Sequence, residues 1–223
     1  MIKSIAEKIV SGKPVKAVFF GDSITEGFFN TSTPDPESVY HKKLSDKIKK
    51  FFPDSKFEVI NAGIGGNSSP DGLNRMEKDV LAHSPDLVSV CFGLNDSNGT
   101  LETYIQTLTE IFKKLRAADI QIMFMTPNML NTAVSEDTAD PLKEYAAKTA
   151  DYQNSGKMDR FMASAVKLCG EYSIPVCDCY SQWKQLRSLG VDTNKLLSNR
   201  INHPIAQMHE LFADSLFETI FWN

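Results

Sequence analysis

Ser23 stands just past an apolar run in VKAVFFGDSITEGFFN (residues 15–30), where strand character stops at Gly21 and an acid and a hydroxyl follow at once. A serine at the mouth of a buried strand is placed to attack an acyl carbon, provided a base takes its proton and donors face the developing oxyanion. Two more segments of small, hydrogen-bonding residues follow strand-like runs: NAGIGGNSS (61–69) and GLNDSNG (93–99). From them, the backbone N–H of Gly66 and the side-chain amide of Asn95 are the candidate oxyanion donors. Any one such segment is ordinary turn chemistry, because Gly, Asn, Asp and Ser dominate turns. Three in consecutive register point to a site.

The base must come from four histidines. His41 and His83 lie in helical patterns among charged neighbours and are expected on the solvated surface, and His209 falls inside the last helix. His203 precedes Pro204, a residue that suits the first position of a helix. It is therefore expected on a loop that returns to the same sheet edge, and it is the candidate base. Other motif readings fail. GIGGNS has Ser68 where a dinucleotide fingerprint needs its third glycine, no GxxxxGK[ST] loop exists, and Thr25 breaks the G-x-S-x-G elbow.

These residues need a scaffold. Near-continuous apolar runs at 15–20, 57–60, 86–92, 120–125 and 174–177 suit strands buried on both faces. Between them lie helical patterns at 37–51, 71–83, 100–118, 141–171 and 204–221, with Thr100 as an N-cap. Alternating strands and helices predict an α/β sandwich on a mostly parallel sheet, which binds ligands outside the carboxyl ends of its strands. The polar stretch 127–140 is the one long enough to form a loop over an active site, and the sequence leaves open whether it closes there. Residues 1–223 are read as one domain.

Composition excludes other classes. A net charge of −4 argues against a nucleic-acid binder. The N-terminus reads as a short amphipathic helix without an export signal, and no apolar run approaches the ~20 residues of a membrane span. A cytoplasmic location is expected, with Cys91, Cys169, Cys177 and Cys179 reduced and buried. CDC at 177–179 lacks metal-ligand spacing, so no metal is expected.

Taken together, GDSITEG, the N-x-G-x-x-G pattern of Asn61, Gly63 and Gly66, GLND, and a histidine followed by proline near the C-terminus resemble the SGNH (GDSL-type) hydrolases. The resemblance runs from residue 16 to about 215, with all four blocks in order. It implies a flavodoxin-like three-layer α/β/α sandwich with five parallel strands. It also implies Ser23 as nucleophile, His203 as base, and Gly66 and Asn95 as oxyanion donors together with the Ser23 N–H. The implied activity is hydrolysis of a small-molecule ester without a cofactor, short acyl esters of carbohydrates leading and longer acyl chains second. The family carries Asp three residues before its histidine, and Arg200 stands there instead. Asp orients and stabilises the imidazole, so its replacement opens the possibility of a weakly active relative that binds acylated ligands. A backbone carbonyl, Asn199, Asn202, Asp178 or Asp192 are the candidate substitutes, whereas Asp22 is read as shaping its turn.

Overall fold

The computed structural model describes residues 2–30 and 33–222. Five strands, β1 (Pro14–Gly21), β2 (Lys56–Gly63), β3 (Leu87–Cys91), β4 (Gln121–Thr126) and β5 (Val176–Asp178), form one sheet in the order β2-β1-β3-β4-β5. Every pairing is parallel. Each strand falls within a few residues of the apolar run that predicted it. β1, β3 and β4 are buried on both faces, whereas β2 lies at an edge and is half exposed.

Helices α1 (Ile2–Val10), α3 (Tyr40–Phe51) and α9 (Met208–Phe221) pack together on one face of the sheet. On the other lie α4 (Ser69–Asp79), α5 (Leu101–Ala117), α6 (Lys143–Asn154) and α7 (Lys157–Glu171). This is the doubly wound α/β/α arrangement in flavodoxin-like strand order. The core between the layers is rich in large side chains, including Phe19, Phe20, Phe92, Phe112, Phe124 and Trp183. Burying each such side chain contributes about 2–3 kcal/mol, so the layers, more than helix propensity, hold the elements in place.

Several boundaries differ from the sequence reading. The long helical region breaks at Gly156, whose φ of +73° ends α6 and lets the chain turn into α7. A further helix, α8 (Cys179–Ser188), is capped by the Asp178 carboxylate, which accepts from Ser181 N. Thr100 does cap α5, accepting from Thr103 N at 3.1 Å. Pro204 does not open the last helix: it forms an isolated bridge with Leu197, and α9 begins four residues later. No helix among the described residues is long and apolar enough to cross a membrane.

Candidate active site

Strand register brings the three small-residue loops together. Gly21, the last residue of β1, pairs with Gly63 at the end of β2 and with Cys91 at the end of β3. The order of connections reverses at β1, so the crevice opens there. After Gly21 the chain makes a single helical turn, α2 (Ser23–Glu26), capped by the Asp22 carboxylate, which accepts from Ile24 N at 3.0 Å. This turn packs directly on the end of β2. A Cβ at Gly63 would sit 2.2 Å from Glu26 N, so the approach requires glycine. Gly66 has φ +77°, a left-handed conformation that turns the loop.

Two side chains tie these loops to one another. Arg75 of α4 donates to Gly21 O and Ala62 O, both at 2.8 Å, and to Asn67 Oδ1 at 2.8 Å, stapling the ends of β1 and β2 to the Gly66 loop. Asp96 is buried and accepts from Ser69 N at 2.9 Å, joining the loop after β3 to the start of α4. Burial raises the Asp96 pKa. Asp22 is more perturbed: burial, reinforced by the charge of Asp96 and opposed by the Ile24 N–H, pushes it up from 3.8 to about 7. Neither Arg75 nor Asp96 stood out in the sequence; a charged residue beside each glycine-rich block was the only signal.

From the far end of the chain, His203 reaches the same crevice. Its Nε2 lies 3.0 Å from Ser23 Oγ, and its Nδ1 lies 2.8 Å from Phe29 O. A carbonyl oxygen can only accept, so Nδ1 carries the proton and Nε2 presents its lone pair to the serine hydroxyl. Burial lowers the His203 pKa below 6.5, opposed by the Phe29 carbonyl, so the neutral ring is favoured.

The partner of Nδ1 is thus the backbone carbonyl among the candidate substitutes for the missing Asp. Asp178 is engaged with Thr126 and Ser181, and Asp192 caps the turn at Thr193–Leu196. Asn199 and Asn202 bond to each other and to backbone. Arg200 adopts φ +60° and pairs with Asp137 at 2.8 Å.

Ser23, Gly66, Asn95 and His203 line one cleft of about 360 Å³, with Phe28 and Tyr145 among its walls. Asn95 Nδ2 donates one hydrogen to Asn67 O at 2.9 Å, which leaves its second hydrogen for a ligand. The arrangement can remove a proton from a hydroxyl and offer N–H groups to a developing negative charge.

Other expectations change. His41 is buried, not solvated: its Nε2 donates to Thr25 O, and burial holds its pKa down at about 4. His209 is likewise buried, accepts from Tyr40 N through Nδ1, and has its pKa held at about 3, chiefly by burial. His83 is exposed, as expected. Of the aromatics Phe28, Phe29, Phe51, Phe52 and Trp183, Phe28 reaches the cleft, where Tyr145 joins it. Phe29 packs against His209, Trp183 is in the core, and Phe51 and Phe52 border a separate hollow beside α1 and α9. Residues 127–131 do not loop over the cleft; they are buried beneath the His203 loop, with Asn131 N donating to Ile201 O and Asn128 Nδ2 to Asn202 O.

Comparison with known proteins decides the family. The model of the GDSL-like lipase/acylhydrolase family matches residues 19–211, and so takes in every element of the cleft. The chain belongs to that family, one of carboxylic ester hydrolases. An acetylxylan esterase of Geobacillus stearothermophilus is 30% identical over 139 residues, 54% of this chain and 62% of that enzyme, so the match spans less than two thirds of the relative. The thioesterase 1/protease 1/lysophospholipase L1 of Escherichia coli K12 is 24% identical over 189 residues, covering 84% of this chain and 77% of that protein. Solved structures share the family fold. Axe2, an acetylxylan esterase from Geobacillus stearothermophilus, superimposes with a TM-score of 0.72 at 22% identity, covering 94% and 95% of the two chains. A two-domain esterase active on acetylated mannans gives 0.72 at 22% identity, covering 98% of this chain and 52% of that one.

Proposed function

We propose that the protein is a serine esterase that hydrolyses short acyl, chiefly acetyl, esters of a carbohydrate or another small polar compound. The observation that carries this reading is the 3.0 Å contact between Ser23 Oγ and His203 Nε2, in the tautomer that the Phe29 carbonyl imposes. As Nε2 takes the hydroxyl proton, Oγ attacks the ester carbon. The oxyanion that forms is met by the N–H of Gly66, the N–H of Ser23 and the free hydrogen of the Asn95 amide. Collapse expels the alcohol, which takes the proton back from Nε2 and leaves an acyl group on Ser23. Water then follows the same course: His203 removes its proton, the tetrahedral species collapses, and as the acid departs Nε2 returns that proton to Ser23 Oγ. No step in this sequence calls on a metal or cofactor.

The imidazolium is stabilised by a carbonyl dipole where other triads use a charged carboxylate. Since a lost triad acid costs ~10⁴ in turnover chiefly through the wrong tautomer, a carbonyl that holds the right one retains much of that factor. A polar rim of Asn95, Asn199 and Asn202 beside Phe28 and Tyr145 suits a hydroxylated leaving group, and relatives named for acetylated xylan and mannan agree with it. Longer acyl chains are the second reading, favoured by the Escherichia coli relative and by the apolar Leu142 and Ile201 in the same cleft.

The test is a panel of p-nitrophenyl esters of graded chain length alongside acetylated xylo- and manno-oligosaccharides. Acetyl esters are expected to turn over fastest, and Ser23→Ala to abolish both hydrolysis and labelling by a fluorophosphonate. Labelling that persists in Ser23→Ala rules out the nucleophile; a rate that climbs steadily with chain length selects the second reading.

A further inference from the structure

We propose that Asn199 is the positioning residue for His203, holding the imidazole in register with Ser23 through the His203 backbone. The inference rests on the esterase reading above and deepens it.

His203 sits on a six-residue loop between the Leu197–Pro204 bridge partners, and this loop has no regular hydrogen-bond ladder. One side chain gathers its backbone donors. Asn199 Oδ1 accepts three backbone N–H groups, those of Ile201, Asn202 and His203, each at 3.0 Å. Asn199 Nδ2 in turn donates to Asn202 Oδ1 at 2.8 Å. Across the loop, the His203 carbonyl accepts from Ser198 N at 2.6 Å and Ser198 Oγ at 3.0 Å. Both backbone groups of His203 are therefore tied down, one by Asn199 and one by Ser198.

With its backbone fixed, the imidazole retains only its two side-chain torsions, and its own two contacts determine those. Arg200 reinforces the turn: at φ +60° it reverses the chain so that the next three N–H groups converge on the Asn199 oxygen. Among the described residues no carboxylate bonds either ring nitrogen; Ser23 and Phe29 are the hydrogen-bond partners. His209 and His41 lie behind Phe29 and Tyr40, buried and with pKa values held low, and add no charge at neutral pH.

Removing the Asn199 amide frees three N–H groups in a half-buried loop and lets His203 drift. A displacement of ~1 Å costs about 100-fold in rate. Asn199 also touches the cleft, so a positioning role must be separated from a substrate contact. Three variants do this, each assayed on p-nitrophenyl acetate with folding checked by circular dichroism. Asn199→Ala is expected to lower kcat by about 10–100-fold with KM changed less than about threefold. Asn199→Asp keeps an acceptor oxygen for the three N–H groups and is expected to recover most of kcat. Its added negative charge favours the imidazolium, so the acid limb of its pH profile moves to higher pH, whereas Asn199→Ala has no such charge. Asn199→Gln, whose amide is one carbon too far, is expected to behave as Asn199→Ala.

A second measurement needs no substrate. The His203 Nδ1 proton, identified in proton NMR by its absence in His203→Ala, is expected downfield in wild type and Asn199→Asp and lost to exchange in Asn199→Ala. The proposal is overturned if Asn199→Ala keeps kcat within about twofold while KM rises, which makes Asn199 a substrate contact. It is equally overturned if Asn199→Asp is as impaired as Asn199→Ala with no shift in its acid limb. A wild-type protein inert toward every ester would instead overturn the esterase reading, and the Nδ1 resonance would still report on Asn199.

Discussion

Replacing Asp22 by Asn should make the protein more stable at neutral pH, by an amount that grows with pH. The carboxyl is buried beside Asp96, and its pKa is pushed from 3.8 up to about 7, chiefly by burial. Below pH 4 it is protonated in the folded and the unfolded chain alike, so it has no effect on stability. Between pH 4 and 7 the unfolded chain releases a proton that the folded chain keeps, and stability falls by about 1.4 kcal/mol per pH unit. Near pH 7 the accumulated loss reaches about 4 kcal/mol, and above it the loss stays constant because both states are ionised. Asn has the shape of the neutral acid, and its Oδ1 can still cap α2 by accepting from Ile24 N. It does not titrate. The measurement is urea unfolding of both proteins at several pH values from 4 to 8. The difference in ΔG is expected to rise by about 2–4 kcal/mol across that range, whatever constant offset the substitution adds. Parallel curves, differing by less than about 0.5 kcal/mol throughout, would refute a neutral buried carboxyl behind the nucleophile.

Three further outcomes concern the cleft. As the proposed base, His203 acts through its neutral ring, and burial lowers its pKa, so kcat/KM should fall on the acid side with a midpoint below ~6.5; a midpoint above ~7 would contradict burial as the dominant influence on the ring. Asn95→Ala removes the amide hydrogen proposed to meet the oxyanion and should lower kcat by about 10²–10³-fold with a smaller effect on KM, read from steady-state kinetics. Arg200→Asp restores the residue type usual in the family, yet it should not raise kcat, because Nδ1 already has its partner in Phe29. It should also cost about 1 kcal/mol, since Arg200 donates to the carbonyls of Lys195 and Leu197 and its pairing with Asp137 is largely solvent-exposed. A tenfold gain in kcat would show that a carboxylate there captures the ring.

Much of the scaffold was legible because local pattern and tertiary role agree. VKAVFF and IQIMFM are continuous apolar runs, and only a strand covered on both faces makes use of every residue in them. The same holds for the three loops: each follows a strand that ends where its glycines begin, and parallel register carries all three to one edge. Boundaries were less legible where one residue changed the outcome. Gly156 splits a helical pattern that reads as continuous. Pro204, suited to a helix start, is drawn into a bridge by Leu197, because the loop before it must close on itself to present His203. His41 and His209 read as surface positions from their charged sequence neighbours, but α3 and α9 turn these particular faces toward each other and the sheet.

Ser23, Gly66, Asn95 and His203, the proposed site residues, could be picked out along the chain because each stands at a strand end or loop, and the fold brings all four to one cleft. A backbone carbonyl was one of several partners the sequence allowed for the imidazole, but neither the choice among them nor the particular carbonyl could be read from it. Phe29 O is a backbone atom, identical in every residue except for where the fold puts it, and it lies 174 positions away in sequence from His203. Likewise Asp22 is an ordinary acid until folding strips its water and sets Asp96 beside it. Side-chain type belongs to the sequence. Contact, desolvation and orientation come into being only when distant segments are packed together.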